Sequence, residues 1–128
     1  MINKTLLEVL SHPADGVVAI VTQGTDEPHV VNTWNSYVHI SSDDKLLIPA
    51  GFMHRTEKNI AINNKVQLTV GSREVQGKMN KGTGFLIKGT ARFIKDGSEF
   101  EMMKKQFDWV RAVLEITIEQ AIQAIQTI

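Results

Sequence analysis

The sequence predicts a mainly β fold, a small antiparallel barrel decorated with short helices. Three observations lead to this prediction. Six segments are rich in β-branched and other apolar residues, and several alternate with a period of two. Most of them follow one another across short turns, which suits antiparallel pairing and leaves no room for the crossover helices of a parallel sheet. The chain has 128 residues, 42% of them hydrophobic, which suffices for a single domain over residues 1–128.

Turn and helix signals bound the six predicted strands. The strands cover residues 16–23, 29–40, 45–50, 65–75, 85–95 and 111–118. A short helix precedes the first strand and is brought to an end by Pro13 and Gly16. The segment TDEP (25–28) turns the chain back into the second strand, and Pro49 stops the third because it cannot donate a ladder hydrogen bond.

Two further helices and a loop separate the later strands. Helices are predicted over 53–64 and 96–109, and a polar, glycine-containing loop is predicted over 76–84. The second of these helices carries an apolar stripe made of Phe100, Met103 and Phe107. Residues 119–128 place isoleucines at helical spacing, which predicts a terminal helix whose apolar face packs either on its own barrel or on a partner subunit.

Composition excludes several classes of function. Fourteen basic residues balance fourteen acidic ones, so no long-range field draws the chain to nucleic acid or to an anionic membrane. No cysteine is present, which excludes disulfides, thiolate metal sites and cysteine nucleophiles. The longest apolar run, GVVAIV, is too short to span a bilayer. We therefore expect a cytoplasmic protein that binds neither nucleic acid nor membranes.

Residues 30–38 (VVNTWNSYV) crowd hydrogen-bonding and aromatic side chains onto one strand. A lone tryptophan in a strand is usually core, but Trp34 has polar neighbours on both sides, which are costly in a dry core without partners. A ligand with a flat apolar face and a hydrogen-bonding edge would account for the polar and aromatic side chains of this strand, and a flavin has that shape. Asn32 and Thr33 would meet its polar edge.

The segment IPAGFMHRTEKNI (48–60) has the features of an anion site. A strand ends, Gly51 shapes a turn, and a helix begins with His54, Arg55 and Thr56 in its first turn. The free amides and the dipole of a helix N-terminus attract phosphate, and an arginine adds charge-assisted hydrogen bonds. The alternative is a set of solvated helix charges after an ordinary turn. His54 and Glu57 alone are too few ligands for a metal, so none is predicted.

Five segments carry a resemblance to a known family. GVVAIVTQG, PHVVNTWNSY, IPAGFMHRTEKN, GTGFLIKGTARF and FDWVRAVLEITI occur in the order and at the spacing found in the small bacterial FMN-binding proteins of the flavin split-barrel superfamily, which are related to pyridoxamine-phosphate oxidases. The resemblance spans about residues 8–118. It implies a six-stranded split barrel, a homodimer, and one non-covalent FMN per subunit near the subunit boundary.

The resemblance also implies roles for single residues. NTW lies along the flavin ring, PAGFM wraps the ribityl chain, HRT receives the phosphate, and GTG (82–84) with Trp109 completes the ring pocket. Phe52 departs from the family pattern, in which a second glycine is common. The predicted cofactor-binding residues are Asn32, Thr33, Trp34, Asn35, Pro49, Ala50, Gly51, Met53, His54, Arg55, Thr56, Thr83, Gly84 and Trp109.

Two functions remain open at this point. The first is an FMN electron carrier or small flavin-dependent reductase, supplied with electrons by a partner protein or a nicotinamide cofactor. The second is an oxidase of a bound small molecule, similar to the pyridoxamine-phosphate oxidases. The oxidase needs a second anion site, for which Arg73 and Lys78 are the candidates. No catalytic residue is assigned.

Overall fold

The computed structural model describes residues 2–124. In chain order the elements are α1 (Lys4–Ser11), β1 (Val17–Thr22), β2 (His29–Trp34), a 3₁₀ turn (Asn35–Tyr37), β3 (His39–Ile40), β4 (Leu46–Ala50), α2 (His54–Ile62), β5 (Lys65–Gln76), β6 (Lys81–Ile94), α3 (Ser98–Gln106) and β7 (Ala112–Gln123). The described strands form one curled antiparallel sheet in the order β2-β1-β5-β6-β7-β4-β3. The mainly β, split-barrel prediction is confirmed. None of the helices in this part of the chain has the length and hydropathy needed to span a membrane.

The sheet has seven strands within residues 2–124 where six were predicted. The predicted strand 29–40 is interrupted because the Asn35 amide donates to the Gly16 carbonyl at 2.8 Å and the Val38 amide closes a turn on the Asn35 carbonyl at 3.1 Å. This turn carries the chain from β2, at one edge of the sheet, to β3, at the other. The two edges are thus joined by the chain itself.

The main core lies inside the curl of the sheet. β5 alternates exposed and buried residues over its first six positions, as its period of two predicts. Helix α1 covers one end of this core with Leu6, Val9 and Leu10. The Asn3 side chain caps α1 by accepting hydrogen bonds from two backbone amides, at 2.8 and 3.2 Å.

A second, smaller core packs α3 against the outer face of the sheet. Met103 is fully buried there with Leu47 and Val113, and Phe100 and Phe107 pack beside it. This confirms the predicted apolar stripe. The helix ends at Gln106, three residues earlier than predicted, so Trp109 lies in the turn that leads into β7.

The predicted loop over 76–84 was too long. β5 continues to Gln76 and β6 begins at Lys81, which leaves residues 77–80 as a tight connection. Thr83 and Gly84 therefore lie in a strand and pair with Ser72 and Gly71. Strand pairing across the hairpin satisfies backbone groups that a loop would leave to water.

The helix predicted over 119–128 is wrong for residues 119–123, which continue β7. Residues 120–123 pair with residues 85–88 of β6 across a register shift beside Gly89. A side chain at Gly89 would lie 2.1 Å from the Thr117 carbonyl oxygen, so only glycine fits at this irregularity. The backbone groups along the free edge of β6 form ladder hydrogen bonds with these residues. This pairing stabilises a strand over the helix that the isoleucine spacing predicted. Ile125 and Ile128 lie outside the described residues.

Candidate ligand-binding site

A cavity of about 500 Å³ lies between β2, the end of β4 and the turn before β7. This volume is typical of small-molecule sites. It is lined by Val31, Asn32, Thr33, Trp34, Tyr37, Pro49, Gly51, Phe52, Met53 and Trp109. The structure thus brings together seven of the predicted residues from three separate parts of the chain, namely Asn32, Thr33, Trp34, Pro49, Gly51, Met53 and Trp109.

Two indoles and an aromatic cluster form the apolar wall of this cavity. Trp34 and Trp109 are 46% and 47% exposed, so their rings are available to a ligand. Trp109 packs against two other aromatic rings. Its ring centroid lies 5.3 Å from that of Phe107 and 6.0 Å from that of Tyr37, in tilted arrangements typical of aromatic packing. A side chain at Gly51 would lie 3.0 Å from the Trp109 ring, so glycine there lets the indole approach the backbone.

Helix α2 begins directly after the cavity-lining Met53. Met53 takes the left-handed conformation, with φ of 57°, and no side chain within residues 2–124 caps the helix. The amides of its first turn therefore have no protein side chain as acceptor. Thr56 in this turn is fully buried, and its hydroxyl lacks a hydrogen-bond partner in the described part of the chain.

The charged residues at the start of α2 are exposed. His54 is exposed, and the Arg55 side chain is 47% exposed. An Arg55 nitrogen lies 3.6 Å from a carboxylate oxygen of Asp26, whose side chain is 78% exposed. Exposed ion pairs of this kind contribute little free energy, so Arg55 can exchange this carboxylate for another anion.

Seven predicted site residues do not line the cavity: His54, Arg55 and Thr56 at the start of α2, and four others elsewhere. The Asn35 side chain is buried and donates to the Gly71 carbonyl at 2.9 Å, which makes it part of the fold. Ala50 is buried at the end of β4, and its carbonyl accepts from the Arg111 amide. Thr83 and Gly84 lie in β6, where the Thr83 hydroxyl accepts from the Gln123 side chain at 3.1 Å.

Sequence reasoning missed the residue that holds the turn between β4 and α2. The Nε and Nη2 atoms of Arg111 both donate to the Phe52 carbonyl oxygen, at 3.1 and 2.7 Å, and Nη1 donates to Glu57 Oε1 at 2.8 Å. Glu57 also pairs with Lys95 at 2.7 Å. The available signal was the position of Arg111, two residues after Trp109 at the start of a strand.

Two carboxylates that bind the segments carrying cavity residues have lowered pKa values, which favours their ionised form. Hydrogen bonding from Lys95, followed by that from Arg111, lowers the pKa of Glu57 although burial opposes the shift. Burial would raise the pKa of Asp15, but hydrogen bonds from the Ser36 hydroxyl and from the backbone amides of Ser36 and Gly16 lower it overall. Asp15 thereby ties the 3₁₀ turn that carries Tyr37 to the segment before β1.

The arrangement suits a ligand with a flat ring system and an anionic end. The indoles offer apolar faces, Asn32 and Thr33 offer hydrogen-bonding groups, and the start of α2 offers amides and a cation. Within residues 2–124, no group of three or more histidine and carboxylate side chains is close enough to hold a metal ion.

Comparisons with known proteins identify relatives of this chain. The sequence pattern of the family described as pyridoxamine 5'-phosphate oxidase matches residues 2–125. An FMN-binding protein from Nitratidesulfovibrio vulgaris (strain DSM 19637 / Miyazaki F) is 49% identical over 125 residues, covering 98% of this chain and 100% of that protein.

Solved structures share the fold at low identity. HupZ from group A Streptococcus superimposes with a TM-score of 0.78 at 18% identity, covering 98% of this chain and 96% of that one. An FMN-binding protein from Syntrophomonas wolfei subsp. wolfei gives a TM-score of 0.75 at 13% identity, covering 98% and 87%. By sequence pattern and by close identity to one relative, the chain belongs to the pyridoxamine 5'-phosphate oxidase family.

Proposed function

We propose that this protein binds FMN non-covalently and acts as an electron carrier or a small flavin-dependent reductase. The observation that carries the proposal is that Met53, which lines the indole-walled cavity, directly precedes the uncapped first turn of α2. A flavin ring and a terminal phosphate need these two environments side by side. The FMN-binding protein that is 49% identical supports the same assignment.

The residues present fit the phosphate end of FMN. The buried Thr56 hydroxyl has no partner in the described chain, and an unsatisfied buried polar group costs about 1–3 kcal/mol. A phosphate oxygen would remove that cost. Arg55 is exposed and loosely paired, so it can turn to the same anion, and His54 lies beside it at the helix start.

The residues present also fit the ring. Trp34 and Trp109 would cover the isoalloxazine faces, with Asn32 and Thr33 beside its polar edge. FMN, when bound, supplies reversible one- and two-electron chemistry. The role of the chain is to orient the ring, exclude water from it, and set the charge around its reducible edge.

We further propose that the protein is a homodimer. Phe52 is 85% exposed and lines the same cavity as the half-exposed Trp34 and Trp109, so the cavity has an exposed apolar rim. Such rims are typical of protein interfaces. A second subunit would cover the rim and close the flavin site, and the strand segment with Thr83 and Gly84 would reach a flavin only across that boundary.

The oxidase alternative lacks a second anion site in the chain as described. Arg73 and Lys78 are exposed, and neither lines the cavity. An oxidase of a phosphorylated small molecule would need a cation next to the flavin ring. The arrangement therefore favours a carrier or reductase, which needs only an accessible ring edge.

The proposal is tested by titrating the purified protein with FMN and riboflavin, followed by anaerobic reduction. We expect one FMN per chain, weaker riboflavin binding, and reduction by nicotinamide cofactors or a redox protein without any amine substrate. Absence of FMN binding would refute the assignment. Flavin reduction that depends on a small amine or alcohol would replace the carrier with the oxidase.

A further inference from the structure

We propose that Arg111 is a positioning residue that holds the turn between β4 and α2 in the conformation that receives the FMN phosphate. The inference rests on the proposed function. It goes beyond it by assigning the shape of the phosphate site to a side chain that does not line the cavity.

Arg111 places three donors on two acceptors of the turn and the helix. Nε and Nη2 converge on the Phe52 carbonyl oxygen, and Nη1 reaches Glu57 in α2. The Arg111 amide also donates to the Ala50 carbonyl at 2.9 Å. One residue thus fixes the backbone on both sides of Gly51 and the first turn of the helix.

Apart from Met53, which packs against the main core and whose carbonyl accepts from the Glu57 amide, the turn has few other restraints within residues 2–124. Gly51 has no side chain, and the Phe52 side chain is 85% exposed and packs on little. Met53 adopts the left-handed region, with φ of 57° and ψ of 31°, which is unfavourable for a residue other than glycine. Without the hydrogen bonds from Arg111 to the Phe52 carbonyl, we expect Met53 to leave the left-handed conformation. The amides of the first turn of α2 would then point away from the proposed phosphate site.

Arg111 also offsets a negative charge at the proposed anion site. Glu57 lies in the first turn of α2, where a carboxylate would repel a phosphate. Arg111 and Lys95 pair with its two oxygens at 2.8 and 2.7 Å. Removal of Arg111 would leave Glu57 paired with Lys95 alone. The position of the turn and the net charge at the start of α2 would therefore change together.

The test compares affinities for FMN and riboflavin, which differ by the phosphate, in wild type, Arg111→Ala and Arg111→Lys. We expect Arg111→Ala to weaken FMN binding about tenfold and riboflavin binding less than about twofold. Lysine restores the charge but cannot make the three-donor contact, so Arg111→Lys should recover only part of the FMN affinity. Arg92→Ala, which removes another ion-paired arginine away from the cavity, serves as the matched control.

The outcomes separate the two proposals. Wild-type protein that binds no FMN refutes the proposed function. Wild-type binding of FMN with equal losses of FMN and riboflavin affinity in Arg111→Ala overturns the positioning role, because a general structural defect affects both ligands. If Arg111→Ala does not fold, Arg111→Lys decides: an unchanged FMN-to-riboflavin affinity ratio in that variant also overturns the inference.

Discussion

The polar residues that follow β2 and those that begin α2 differ in how far the chain itself satisfies them. After β2, buried Asn35 donates to the Gly71 carbonyl, and the Ser36 hydroxyl donates to Asp15. At the start of α2, the Thr56 hydroxyl is buried without a partner in the described chain, and Arg55 has an exposed carboxylate 3.6 Å away. Both regions lie next to residues that line the same cavity: Tyr37 follows β2, and Met53 precedes α2.

This difference separates side chains that hold the fold from side chains whose hydrogen-bonding capacity the described chain leaves partly unused. Asn35 is not wholly satisfied, since its Oδ1 atom lacks a partner within residues 2–124, but its Nδ2 donors bridge α1 and β5. Arg55 pairs with the exposed Asp26, and with no buried group among residues 2–124. By residue type alone, Asn35 and Arg55 are equally good candidates for ligand contacts. Their hydrogen-bond partners in the structure show that Asn35 mainly holds the fold, whereas Arg55 does not.

The largest expected effect is on stability, from Asn35→Ala. The substitution leaves the Gly71 carbonyl unpaired and opens a void where the side chain is fully buried, so we expect a loss of about 2–4 kcal/mol in the free energy of unfolding. Urea denaturation measures it. Asn32→Ala is the control, because Asn32 is exposed and should cost less than about 0.5 kcal/mol. Equal costs would erase the distinction between the two regions.

The next effect is on binding, from Arg55→Ala. Loss of a charge-assisted pair should weaken FMN binding by about 2 kcal/mol, with riboflavin affinity and unfolding free energy almost unchanged. Lys58→Ala, on an exposed position of the same helix, should leave FMN affinity close to that of wild type. Equal FMN and riboflavin affinities in the wild type would contradict a phosphate site at α2.

A smaller effect concerns pH, through Glu57. Its folded-state pKa is lowered, so its ion pairs stabilise the protein above the unfolded pKa, and this stabilisation is lost as the pH falls through the folded value. We expect Glu57→Gln to be less stable than wild type at neutral pH and to converge with it as the pH falls through the lowered folded-state pKa of Glu57. Urea denaturation across that range measures the difference. A constant difference at all pH values would exclude titration of Glu57 as the cause.

The smallest expected effect sharpens the account of Arg55. Asp26 competes with phosphate for this arginine, and an exposed pair is worth about 0.5 kcal/mol. Asp26→Asn should therefore raise FMN affinity by roughly twofold, with riboflavin affinity unchanged. Isothermal titration at low salt gives the best resolution. Weaker FMN binding in this variant would mean that Asp26 supports the site.

Local patterns determined much of the fold and part of the site. The period of two in β5 and the Phe100–Met103–Phe107 stripe depend on neighbours a few residues away, and both predictions are confirmed. The third strand ends at Ala50 as predicted, but Pro49 does not stop it, because Pro49 pairs with Val113 inside β4. Trp34, Gly51 and Trp109 were predicted to share a site by their resemblance to a known family, and they line one cavity.

Only the tertiary structure decided the features that depend on distant partners. Residues 120–123 are a strand because β6 offers unpaired backbone groups, and Asn35 turns inward because the Gly71 carbonyl lies there. Arg111 reaches Phe52, 59 residues earlier in the chain, through the pairing of β4 with β7. Sequence periodicity reports the preferences of neighbouring residues, but a hydrogen bond between separate strands exists only after the sheet has brought both ends together.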